Sequence, residues 1–144
     1  MIEQRRGKLG AGILVLNRDS LSTGKPLMLA LVRSDGLYDI PKGVIEPGES
    51  KLAAAIRECF EECSVVIEDK DIMFAHDMYE AGVLSIFCAV TDCTPAIEKN
   101  PHTGIMEHDS FVWIDKDTFC ANCLEYLVPS ITYFYSAHVD DYNT

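Results

Sequence analysis

Glu58, Glu61 and Glu62 follow Arg57 within a single short stretch of the chain. On a helix that turns 100° per residue, the three carboxylates span an arc of about 100°. Two carboxylates about 5 Å apart at an effective dielectric near 20 repel by roughly 3 kcal/mol. Such a cluster stays solvated, holds protons or recruits cations, and Arg57 offsets only one charge. On an isolated amphipathic helix a charge run of this kind is ordinarily a solvated face. The upstream segment PKGVIEPGES, Pro41 to Ser50, argues for more, because it brings a glycine-rich, rigid backbone to the start of the helix. Carboxylates with a backbone carbonyl make the hard oxygen shell that Mg2+ or Mn2+ prefers. Such an ion keeps waters and binds jointly with substrate phosphates, which turns an acidic patch into a phosphate-binding site.

A cation is also what the overall charge calls for. The 144 residues carry a formal charge of −11, which excludes a surface that grips duplex nucleic acid by neutralising phosphates. A phosphorylated small molecule then needs a cationic mediator. Nearly half the residues are apolar and a quarter are charged, a composition proper to a globular chain with one hydrophobic core. A single domain over residues 1–144 is expected. No apolar run is long enough for a membrane span, and MIEQRRGKLGAG lacks the apolar centre of a secretory leader. The expected location is the cytoplasm, with the six cysteines reduced. Cys120 and Cys123 form a C-x-x-C downstream of His102 and His108, whose spacing is looser than zinc ligands normally show. Packing is the better account of these cysteines.

The elements that must position the acids can be read in outline. GKLGAGILVLNRD and LMLALVRS are apolar strands joined by the loop LSTGKP as a long-connected hairpin. DGLYDIPKGVIEPGES has glycines and prolines too close together for a regular element. Ser50 is the N-cap of a helix over Lys51 to Cys63, with Leu52, Ile56, Cys59, Phe60 and Cys63 forming its apolar stripe. DIMFAHDMY and GVLSIFCAVTDC are expected to pair, turning at Glu80 to Gly82. TPAIEKNPHTGIMEHD is a long irregular segment of the kind that often carries function. SFVWI is a short strand. Asp115 or Asp117 caps a following helix, and the chain after Cys120 is helical, interrupted or restarted near Pro129. Strands around one strongly marked helix favour a mixed sheet between helices, an α/β class.

Read as Gly43, five residues, Glu49, seven residues, Arg57-Glu58, two residues, Glu61-Glu62, this stretch resembles the signature of the Nudix hydrolases, G-x5-E-x7-R-E-U-x-E-E-x-G-U. It departs from that signature at Cys59, where a bulky aliphatic is usual, and at Ser64, where the family has glycine. The resemblance implies a Nudix-type α/β/α sandwich with a mixed central sheet. It also implies metal-dependent hydrolysis of a nucleoside diphosphate linked to another moiety. Carried across by position, Glu58, Glu61 and Glu62 ligate Mg2+ or Mn2+, with the carbonyl of Lys42 as a further ligand. Glu49 and Arg57 brace the loop against the helix, with Gly48 beside them in a structural role.

YDIPKGVIEPGE and MEHDSFVWIDKDTF are similar to segments of the asymmetrical diadenosine tetraphosphate hydrolases. The expected substrate is accordingly a small-molecule nucleotide, in first place a dinucleoside polyphosphate cleaved to ATP and AMP. Glu58 or Glu107 is the general base. Lys42, Gly43 and Arg33 meet the phosphates, and Tyr38 is the preferred stacking partner for a base, ahead of Phe87; Tyr133 and Tyr135 are candidate lids. The alternatives are ADP-ribose, a nucleoside triphosphate, the 5′ end of RNA, or a non-catalytic nucleotide-binding module.

Overall fold

The computed structural model describes residues 8–98, 104, 106 and 108–140. The sheet is built on two long strands, β1 (Gly10–Asn17) and β6 (Leu84–Thr91), which run parallel in register from Gly10↔Leu84 to Asn17↔Thr91. Antiparallel partners flank them. β2 (Met28–Val32) pairs with β1, with the two-residue β3 (Tyr38–Asp39) and with β7 (Ser110–Ile114), while β5 (Met78–Ala81) pairs with β6. β4 (Lys42–Val44) pairs with the start of β1, Gly10↔Val44 to Gly12↔Lys42. The sheet is therefore mixed, and its helices pack on both faces, as the composition of its strands requires.

Alternate side chains of the central strands enter two separate cores, because successive residues of a strand point to opposite faces. Leu14 and Leu16 of β1 join Met28, Ala30, Ile86 and Cys88 on one face. Ala11, Ile13 and Val15 join Leu29, Leu31, Phe87 and Ala89 on the other. Strands buried on both sides lose the apolar–polar alternation of a half-exposed sheet, which is why GILVL and LMLALV read as continuous apolar runs.

The second core lies under α1 (Lys51–Cys63), whose start is fixed by Ser50: its side chain accepts a hydrogen bond from the backbone N–H of Ala53. The helix ends at Ser64, whose φ of 61° and ψ of 16° put a serine in the left-handed region. Its buried face is Ala54, Ala55, Cys59, Glu62 and Cys63. The expected stripe needs correction at Phe60, which is 54% exposed. The helix is rolled so that its small residues meet the sheet, and this roll draws Glu62 into the protein.

The first core is covered by the C-terminal helices. Asp115 caps α2 (Lys116–Ala121) by accepting from Thr118 N–H. Pro129 marks the restart of a helix, one of the two readings its position allowed. It sits in the first turn of α3 (Val128–Phe134), where its missing N–H costs nothing, and α3 continues as a π-turn over Tyr135–Val139.

Two other expectations are revised. The β1–β2 connection contains a 3-10 turn, Asp19–Thr23, closed by Gly24. The segment before β5 is not a continuous strand: it holds 3-10 turns at Asp69–Asp71 and Phe74–His76, and strand pairing begins only at Met78, apart from an isolated bridge between Ile72 and Ala89. The Cys120 and Cys123 side chains pack against the first core, and Cys123 Sγ donates to the carbonyl of Leu124. Among the described residues, no helix is long and apolar enough to cross a membrane.

Candidate active site

The pairing of β4 with β1 lays the Lys42–Val44 backbone beside α1, and the groove between them is a cleft of about 880 Å³. Arg57, Glu58, Glu61 and Glu62 line it from the helix, Lys42 and Gly43 from β4, and Arg33 and Asp39 from the far wall. The acids approach the Pro41–Ser50 segment, the box loop, most closely at Gly43. A Cβ built on Gly43 would lie 2.1 Å from the carboxyl carbon of Glu58. Only a residue without a side chain leaves that carboxylate room to lie against the loop.

Arg57 organises this wall. Its Nε and Nη2 donate to the two oxygens of Glu49 at 2.7 and 3.0 Å, and Nη2 also donates to the carbonyl of Val44 at 3.0 Å. The paired, two-bond geometry matches a guanidinium to a carboxylate. Glu49 in turn accepts from the N–H of Glu46, so the brace closes the turn that contains Gly48, whose φ is 80°. The remaining nitrogen, Nη1, reaches Glu58 at 2.9 Å, Glu61 at 3.2 Å and Glu46 at 3.3 Å. The Glu49 hydrogen bond is the main force raising the Arg57 pKa, and it holds the Glu49 carboxyl below its ordinary range. Burial pushes Glu58 up, only partly offset by hydrogen bonds from Glu62 and Arg57.

Deeper in the cleft Lys42 and His108 meet an acid that the sequence did not single out. Asp39 is 3% exposed, and its Oδ1 accepts from the N–H of Ile40. Its Oδ2 is 2.9 Å from Lys42 Nζ and 3.4 Å from His108 Nε2. The other ring nitrogen of His108 lies 3.8 Å from Glu62 Oε1, and Glu62 Oε2 is 3.4 Å from the N–H of Lys42. Burial alone would raise Asp39, but His108 and Lys42 outweigh it and hold the carboxyl below its usual range. For Lys42, burial is likewise overcome by Asp39, which raises its pKa. The i, i+3 spacing in YDIPK is the one local sign that could have marked Asp39.

The other expected site residues are dispersed. Arg33 lines the cleft and pairs with Asp35 at 3.0 Å. Tyr38 stacks on Phe119 at 6.0 Å between ring centres, against the first core, and Phe87 is buried in the second. Tyr135 is buried with its hydroxyl directed to the carbonyl of Pro26, while Tyr133 bonds to Asp77. Glu107 lies outside the described residues.

A second cleft of about 710 Å³ opens on the other side of Lys42–Val44, between β5 and the start of α3. Tyr79, Tyr126, Val83 and Pro129 line it, and Tyr126 is 48% exposed. Neither tyrosine was a sequence candidate, because the wall joins elements far apart along the chain.

Among the described residues, no group of three or more His, Cys, Asp or Glu is gathered as a ready metal cluster; Arg57 Nη1 lies among the acids. The donors nevertheless fit Mg2+ or Mn2+. They are hard carboxylate oxygens lining one cleft, and two of them, Glu58 and Glu61, already hold a positive charge in common.

A family model described as the NUDIX domain matches residues 7–119. No curated protein matches the sequence significantly. Among solved structures, the chain is similar to a C. elegans Ap4A hydrolase in a binary complex, with 21% identity, 89% of this chain and 96% of that one covered, and a TM-score of 0.67. An E. coli dihydroneopterin triphosphate pyrophosphohydrolase superposes with 19% identity, coverage of 90% and 96%, and a TM-score of 0.65. A bifunctional NMN adenylyltransferase/ADP ribose pyrophosphatase from Francisella tularensis, complexed with AMP and a Mn ion, gives 20% identity and a TM-score of 0.66. There 94% of this chain matches 46% of the longer one.

Proposed function

The chain belongs to the Nudix family of pyrophosphate-bond hydrolases, and from that premise we propose that it is a dinucleoside polyphosphate hydrolase, cleaving a substrate such as diadenosine tetraphosphate to ATP and AMP. The observation that carries this is the pair of adjoining clefts. One is polar and acid-lined, the other walled by Tyr79 and Tyr126, and Lys42, Gly43 and Val44 line both. A phosphate bridge in the first cleft with one of the ligand's two bases in the second matches this division. Aromatic side chains give a base an apolar face to lie on, and the polar cleft has the volume for a long phosphate bridge.

Members of this family generally use divalent cations. Here Glu58, Glu61 and Glu62, with the carbonyl of Lys42, would hold Mg2+ or Mn2+. When bound, such an ion stabilises charge on phosphoryl oxygens and makes water a better nucleophile. The protein's own groups do the rest. Arg57, tied to Glu49 and Val44, holds the box loop against α1 and orients Glu58. Lys42 Nζ, kept charged and directed by Asp39, meets phosphate oxygens at the junction of the clefts. Arg33 supplies a further cation at the rim. The proton released by the attacking water passes to a carboxylate oxygen, of Glu58 or of Glu107.

The test is a substrate panel of diadenosine tetraphosphate, ATP and ADP-ribose with Mg2+, with the products separated by chromatography. ATP and AMP in equal amounts from diadenosine tetraphosphate are expected. Preferred cleavage of ADP-ribose or ATP would overturn the substrate assignment. Glu61→Gln is expected to lower turnover at least about 100-fold and to reduce the rise in melting temperature that Mg2+ gives the wild type.

A further inference from the structure

Outside the acidic cleft, α3 and the segment entering β5 are joined by an interlock that the hydrolytic site does not use. The Tyr133 hydroxyl donates to Oδ2 of Asp77, and His138 Nε2 stands 2.8 Å from the same oxygen. The other oxygen of Asp77 accepts from the N–H of Met78, and the N–H of Asp77 donates to the carbonyl of Phe74. His138 stacks on Phe74, with ring centres 4.3 Å apart and planes 7° from parallel. The Phe74 ring is set there by a backbone that side-chain-bearing residues seldom adopt: Phe74, Ala75 and His76 have φ of 59°, 55° and 60°. Three consecutive left-handed residues persist only where the surroundings fix them. Here the fixing partners are the Asp77 bonds and the His138 stack.

This interlock reaches the second cleft through one ring. Tyr79, two residues beyond Asp77, lines that cleft, and Tyr133 lies against it with ring centres 5.4 Å apart and planes tilted by 42°. Tyr79 is on β5, which pairs on one side with β6 and, among the described residues, has no further strand neighbour in the sheet order. Its ring is therefore steadied by Tyr133 rather than by a cross-strand residue beyond it. Tyr133 is held at both ends, by its place in α3 and by Asp77 at its hydroxyl.

We propose that Tyr133 is a positioning residue for nucleotide binding: anchored by Asp77, its ring holds Tyr79 in the orientation that receives the base. This rests on the second cleft being the nucleoside seat. The acids proposed for hydrolysis line the other cleft, so the effect belongs to binding of the base and not to the phosphate chain.

The experiment compares affinity, with Mg2+ present, for the non-hydrolysable β,γ-imido analogue of ATP and for inorganic tripolyphosphate, which has no base. Tyr79→Leu is expected to weaken the analogue about 10-fold while tripolyphosphate stays within about twofold. Tyr133→Leu is expected to weaken the analogue about fivefold with the same indifference to tripolyphosphate, and Tyr133→Phe, which keeps the ring but loses the anchor to Asp77, to fall between the wild type and Tyr133→Leu. The double variant Tyr79→Leu/Tyr133→Leu is expected to be no weaker than Tyr79→Leu alone, since both changes remove one function. If Tyr133→Leu does not fold, Tyr133→Met, whose unbranched side chain adapts better to the space, takes its place with the same expected values.

Full analogue affinity in the Tyr133 variant beside a weakened Tyr79→Leu would overturn the positioning role and leave the cleft assignment standing. Additive losses in the double variant, or equal losses for analogue and tripolyphosphate, would also overturn it. Silence of both single variants would remove the nucleoside seat and the positioning role together.

Discussion

Gly43→Ala asks whether the box glycine exists to make room for Glu58. The added Cβ would stand 2.1 Å from Cδ of Glu58 and 2.3 and 2.4 Å from its oxygens, where real Cβ contacts are not found below 3.0 Å. Gly43 is not among the residues with positive φ, so alanine brings no backbone strain and the whole effect is steric. The carboxylate must retreat by more than about 1 Å to reach ordinary contact distance. That motion breaks its 2.9 Å bond to Arg57 Nη1, a charge-assisted interaction of about 1.5–3 kcal/mol net. Arg57 keeps its bonds to Glu49 and Val44, which puts the loss of stability at the low end, about 1–2 kcal/mol. A displacement of about 1 Å at a reacting centre costs on the order of 100-fold in rate.

The expected result is therefore a modest fall in melting temperature and a fall in kcat of about 100-fold on diadenosine tetraphosphate. Gly24→Ala is the control. Gly24 has φ of 79° with nothing within 4 Å of a built Cβ, so alanine there costs about 1 kcal/mol of strain and leaves kcat unchanged. A Gly43→Ala enzyme that retained kcat within about threefold, at a stability no lower than the control's, would refute the claim that this contact sets the position of Glu58.

Two further outcomes follow from the backbone and from the interlock. Ser64→Gly is expected to stabilise the protein by about 0.5–1 kcal/mol, a rise of roughly 2–4 °C in melting temperature, because Ser64 closes α1 at φ 61°; an unchanged or lower melting temperature would show that the left-handed serine is relaxed. The Tyr133 hydroxyl and then His138 hold Asp77 below the ordinary range. A depressed carboxyl contributes stability that is fully present above its unfolded pKa, near 4, and is lost as pH falls through the lower folded value. Asp77→Asn is therefore expected to flatten the acid limb of a melting-temperature profile below about pH 4 while lowering the plateau above it; parallel profiles for the two proteins would rule this out.

What the sequence made legible was whatever is decided within a few residues. The bounds of α1 follow from Ser50 as cap and from a local apolar period, and they agree with Lys51–Cys63. The cap at Asp115 is equally local, and the Glu49–Arg57 pair found from the signature is a two-bond brace in the structure. What escaped was set by distant contacts. The face that α1 buries depends on what the sheet offers, and Ala11, Ile13 and Val15 accept Ala54, Ala55 and Cys59 more closely than Phe60. The left-handed run at Phe74–His76 carries no glycine to announce it. Tyr79 and Tyr126 become one wall only because α3 packs beside β5.

The same distinction explains why three acids can share one part of a helix. Counted along the sequence they are equivalent, yet the fold gives each a different neighbour. Glu62 is drawn inward by the roll of α1 and approaches His108 and the N–H of Lys42. Glu58 lies in the space Gly43 leaves and shares Arg57 Nη1 with Glu61. Repulsion of roughly 3 kcal/mol per pair is thus offset by positive charge and backbone donors brought from β4 and from α1 itself. Arg57 is already committed on its other edge to Glu49 and Val44, so Nη1 can leave the acids without the brace coming apart. An acidic wall stabilised in this way keeps its shape when the cation serving it is exchanged.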